Sequence, residues 1–131
     1  MEIHLKIIAC LLIGLALIHS VFPTYFHWKK ELKLLSSINR QMMVVHTFFI
    51  ALTLFLIGLL CLTSSRELIE TTLGKKISLG LGFFWTARLF IQFFGYSTDL
   101  WKGKKFETFM HILFSLLWIY LSLVFSIIYF D

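Results

Sequence analysis

Charge is scarce in this chain: only 15% of its 131 residues are Asp, Glu, Lys or Arg, and 59% are hydrophobic. Soluble domains carry roughly 25% charged residues, so a water-soluble globular class is disfavoured and a disordered one is excluded. Proline occurs once and glycine seven times, which leaves no room for a flexible linker. The two cysteines, Cys10 and Cys61, stand far apart inside apolar runs. No CxxC occurs, so that class of thiol–disulfide oxidoreductase is excluded, and two cysteines cannot form an all-cysteine zinc site. No Asp or Glu lies deep in any apolar run, which argues against a proton-coupled exporter of cations. No GxxxxGK[ST], GxGxxG, GxSxG, HExxH, His-x-His or Glu-x-x-His pattern is present. The carboxylates of a di-iron bundle are also missing.

Long apolar runs are what the chain does have. They cover residues 7–22, 42–63, 77–96 and 106–130. A bilayer core takes about 20 helical residues, and helices alone satisfy their own backbone there. The expectation is an all-α polytopic membrane protein. It is read as one domain over residues 1–131, an antiparallel bundle of four spans near 3–22, 42–63, 77–97 and 106–130. The first run also fits a signal peptide, but no small-x-small cleavage site follows His19-Ser20-Val21-Phe22, so it is read as a retained span.

The connections carry their own signals. Pro23 is expected to end the first span. Residues 26–38 read as an amphipathic helix lying in the headgroup plane, with Trp28, Leu32 and Leu35 opposite Lys29, Lys30 and Lys33. In residues 64–76, Ser64 to Glu67 has capping-box spacing, and Gly74 is expected to stop the helix. Residues 97–105 read as a tight basic turn. The side holding the first and third connections carries seven cations (Lys29, Lys30, Lys33, Arg40, Lys102, Lys104 and Lys105) against four on the other (Lys6, Arg66, Lys75 and Lys76). That bias points both termini away from the cytoplasm. The net charge of +5 is read as topology and attraction to anionic lipid, with membrane lipids as partners and no nucleic acid.

Polar groups inside spans are expensive, so each is a candidate. His19, His46 and His111 fall at one depth, roughly 9–10 Å from the midplane by helical rise, with Gln92 level with them and Arg88 a turn deeper. Three stripes are expected to face one interior. Span 2 contributes His46, Ile50, Thr53 and Ile57, and span 3 contributes Trp85, Arg88 and Gln92, continued by Tyr96 and Asp99. Span 4 contributes His111, Ser115, Trp118, Ser122 and Ser126, with Glu107 extending it outward to where an extended Arg88 would reach it. Gly14, Gly58, Gly80 and Gly82 are expected to permit close helix approach.

Three functions compete for this cluster. The first is a haem or transition-metal cofactor, with His46 and His111 as the leading ligands and His19 as the third. Gln92 would orient those ligands, and Arg88 would meet an anionic part of the group. The second is anion movement, or proton-coupled transport, through a polar interior centred on Arg88. The third is an accessory role, in which the polar face completes a partner membrane subunit or a second copy. Ordinary interhelical hydrogen bonding stands beside all three. No catalytic constellation singles out an enzyme.

Overall fold

The computed structural model describes residues 1–95 and 103–131, so Tyr96, Asp99 and Lys102 lie outside the described residues. The elements are α1 (Glu2–Tyr25), α2 (Trp28–Glu31), a 3₁₀ turn (Leu32–Leu34), α3 (Ser37–Thr63), α4 (Ser65–Glu70), α5 (Thr72–Phe90), a π-turn (Ile91–Gly95) and α6 (Lys105–Phe130). No strand occurs among the described residues. Four segments, Glu2–Tyr25, Ser37–Thr63, Thr72–Gly95 and Lys105–Phe130, are long and apolar enough to cross a membrane. The third runs on from α5 through the π-turn. Two compact units emerge: residues 3–65, and residues 1–2 with 66–131.

In residues 3–65, α1 buries Leu5, Ile8, Ala9, Leu12, Leu15 and Ala16, a helical stripe. On α3 the buried residues are Leu54, Gly58 and Cys61. A Cβ on Gly58 would come within 2.9 Å of Ile13 Cγ1 and 3.2 Å of the Ala9 carbonyl, so the missing side chain is what lets α3 approach α1. The face chosen by this contact is not the expected polar one. His46, Ile50 and Thr53 are exposed. The Thr53 hydroxyl donates to the Phe49 carbonyl at 2.8 Å, so it needs no interior partner.

The connections also depart from expectation. Pro23 does not end α1, which continues to Tyr25. Proline there forfeits one backbone bond, two residues from the helix end, and Phe26 N–H still donates to Phe22 at 2.9 Å. Residues 26–38 do not form one amphipathic helix. His27 turns the chain with φ 54°, in the left-handed region, and the four-residue α2 and the 3₁₀ turn follow. Ser36 then caps α3, accepting from Asn39 N–H at 3.4 Å.

Gly74 is not a C-terminal stop but lies in the first turn of α5, where its N–H donates to the Thr71 hydroxyl at 2.9 Å. A Cβ at Gly74 would collide with the Glu67 carbonyl and sit 2.6 Å from Leu68 Cα, so glycine is required for α4 to turn directly into α5.

In residues 1–2 with 66–131, α5 and α6 pair antiparallel. Gly82 faces Ser126, Trp85 stacks on Trp118, and Gln92 meets His111, the second number falling as the first rises. An exposed ion pair, Arg66 to Glu2 at 3.0 Å, ties α4 to the start of the chain. The hydrogen bond to Glu2, then its charge and that of Glu70, pushes the Arg66 pKa upward, so the guanidinium stays charged.

Candidate functional site

The seam between α5 and α6 gathers the polar residues of both helices. Arg88 and Gln92 are one turn apart, and Arg88 Nη1 donates to Gln92 Oε1 at 3.2 Å. Trp118 Nε1 donates to the same oxygen at 3.3 Å from the facing helix. Both donors are donors only, which fixes the amide orientation. The Gln92 Nε2 amide then faces His111 and donates to its Nδ1 at 2.9 Å. An imidazole that accepts at Nδ1 is neutral and carries its proton on Nε2. Ser115, one turn along α6, donates to the His111 carbonyl at 2.7 Å. Gln92 is 6% exposed and is the hub of this network.

Aromatic rings form the wall. Trp85 and Trp118 stack with centroids 5.2 Å apart and an angle of 8°. Phe114 lies 5.7 Å from Trp118 on α6. The Arg88 guanidinium carbon stands 5.0 Å from the centroid of the Trp118 ring, a cation–π contact strengthened where water is excluded. Phe93 meets His111 edge-on at 5.9 Å. Deeper along the seam, Trp85 Nε1 and Ser122 Oγ are buried without a hydrogen-bond partner among the described residues. Gly82 permits the approach that closes the seam, since a Cβ there would fall 2.9 Å from Ser126 Oγ.

Gln92 sits in the π-turn of residues Ile91–Gly95. Such turns shift the face that following residues present and recur at functional sites. No residue in the run Ile91-Gln92-Phe93-Phe94-Gly95 announces one, apart from the glycine that ends it. The clustering of Phe93 and Phe114 around the network was likewise hidden among fifteen phenylalanines.

The other candidates have surroundings of their own. Glu107 is exposed in the first turn of α6 and makes no ion pair with Arg88, whose guanidinium is drawn to Trp118 and Gln92 instead. His19 is satisfied within α1: its Nδ1 lies 2.9 Å from the Leu15 carbonyl, and its ring packs 4.7 Å from Phe22. His46 is exposed on α3. Among the described residues no three of His, Cys, Asp and Glu come together to hold a metal ion. Tyr96 and Asp99, expected to continue the α5 stripe, lie outside the described residues.

Chemically, the seam holds a permanent cation against an aromatic face and orients it through a neutral amide and a neutral imidazole. That is equipment for recognising negative charge. Comparison with protein-family models, with curated proteins and with solved structures finds no match to this chain.

Proposed function

We propose that this is a multi-pass membrane protein, its four spans forming an antiparallel bundle, that binds a small anion at Arg88 and passes it across the bilayer. The observation that carries the reading is the Arg88–Gln92–His111–Trp118 network, in which Gln92 and Trp118 hold the guanidinium and His111 bonds Gln92 behind it. An arginine at membrane depth is costly, and such residues mark ion and substrate paths. Held on the Trp118 face and bonded to Gln92, the guanidinium is preorganised rather than free to snorkel to the headgroups. Acetate and phosphate are the natural probes, because the guanidinium fork suits planar and tetrahedral oxyanions, and chloride tests the charge without the fork geometry.

The cofactor reading has less behind it, since His46 is exposed and His19 is bonded within its own helix. The seven-to-four distribution of cations favours both termini on the non-cytoplasmic face. An accessory role beside another membrane subunit, or a second copy, is the third reading, and co-purification of a stoichiometric partner would favour it.

Anion flux in liposomes tests the proposal. The intact protein is expected to pass at least one of the three anions. Arg88→Gln should abolish that flux, and Arg88→Lys should retain part of it, because charge persists without the fork. Equal flux through the intact protein and a folded Arg88→Gln variant would overturn the reading, as would no flux of any of the three.

A further inference from the structure

A second site lies at the end of the residue 3–65 unit, where α1 gives way to α3. A groove of about 380 Å³ is lined by Pro23, Trp28, Lys29, Leu32, Lys33, Arg40 and Val44. Three of these seven residues are cations, and none is an acid; Glu31, the acid of the segment, does not line the groove. The cations come from three different elements: Lys29 from α2, Lys33 from the 3₁₀ turn and Arg40 from α3. The left-handed turn at His27 directs the chain back so that these elements surround one volume. Arg40 is half-buried, unlike the exposed lysines, and stands in the first turns of α3, where the helix adds positive potential.

We infer that this groove binds the phosphate of an anionic phospholipid. The wall is mostly apolar, so Lys29, Lys33 and Arg40 line it with their stems and border it with their cationic heads, where several donors suit the several oxygens of a phosphate. The rest of the lining, Pro23, Leu32, Val44 and the half-buried Trp28, is apolar or amphipathic, as the glycerol and upper acyl carbons of a lipid require. The volume is at the small end of ligand sites, about 300–1,000 Å³, and so fits the glycerol and upper acyl carbons beneath a phosphate at its rim rather than a whole lipid. The groove joins the ends of two membrane-length helices, which is the headgroup level of a spanning protein. Basic pockets at that level bind anionic headgroups. The inference does not depend on the anion reading at Arg88.

The test uses the full chain in phosphatidylcholine micelles, titrated with phosphatidic acid or phosphatidylglycerol, with bound lipid counted by native mass spectrometry. One anionic lipid should bind in preference to phosphatidylcholine. Lys29→Gln, Lys33→Gln and Arg40→Gln should each weaken it, by about fivefold for a charge in contact with the headgroup. Lys30→Gln is the matched control: it removes the same charge one residue from Lys29 but outside the groove, and should change affinity less than about twofold, as screening shields a charge not in contact. An equal loss in the Lys30→Gln variant would overturn the site in favour of diffuse attraction. Equal binding of phosphatidylcholine would overturn it too. Competition by inorganic phosphate alone, at the same concentration as the lipid, would overturn the lipid assignment and leave a site for free phosphate. If Arg40→Gln fails to fold, the two exposed lysine variants still decide the question.

Discussion

The two units of the chain deal with polar residues differently. Both hold bonds to the preceding turn of the same helix: His19 to Leu15, Ser20 to Leu17, Thr47 to Met43, Thr53 to Phe49 and Thr63 to Leu59 in one, Ser78 to Gly74, Thr86 to Gly82 and Ser115 to His111 in the other. Between α5 and α6, Gln92, His111, Trp118 and Arg88 bond or stack across the seam. Either kind of bond satisfies the polar group that makes it, while Trp85 Nε1 and Ser122 Oγ stay without one among the described residues. A back-bond to the preceding turn fixes nothing beyond its own helix. A bond across helices fixes two helices and the side chains between them, and such positioning is what a binding site needs.

Mutations sharpen this contrast. Trp118→Ala removes a buried ring that stacks on Trp85 and carries Arg88, and should cost about 3–5 kcal/mol by denaturation in detergent. Gln92→Leu leaves the Arg88 and Trp118 donors without their shared acceptor, and should cost about 2–4 kcal/mol. In the other unit, Gly58→Ala forces a Cβ against Ile13 and Ala9, and should cost about 1–3 kcal/mol by overpacking. Thr53→Val removes only a local back-bond and should change stability by roughly 0.5 kcal/mol or less. A large loss for Thr53→Val with a small one for Gln92→Leu would reverse the contrast. Glu2→Gln, at the exposed pair with Arg66, should leave the melting temperature unchanged.

Much of the architecture was legible in apolar run length, because helices are the only single-segment way to satisfy backbone in hydrocarbon. The members of the α5–α6 seam were legible too. Trp85, Arg88 and Gln92 recur at helical spacing, as do His111, Ser115 and Trp118, so each set shares one face of its helix. The same rule failed on α3. Its stripe had one hydroxyl and one imidazole, and Thr53 found its bond in the preceding turn. The small surface of Gly58 then chose the packed face, leaving His46 exposed. Depth says nothing of rotation about the helix axis, so it could not foretell that His46 is exposed on α3. Pro23 and Gly74 misled for a related reason. Each residue type has a preferred place at helix ends, but a proline near an end costs little more than one bond, and a glycine is also kept where two backbones touch. The π-turn has no residue signature to read.

The most direct measurement is anion binding read by the seam's own tryptophans. With Trp28 and Trp101 replaced by phenylalanine, emission comes from the stacked pair Trp85 and Trp118 alone. Titration with chloride, acetate and phosphate should give a saturable change for at least one anion, and Arg88→Gln should remove it. No saturable change with any of the three, or the same change in a folded Arg88→Gln variant, would contradict an anion site at Arg88.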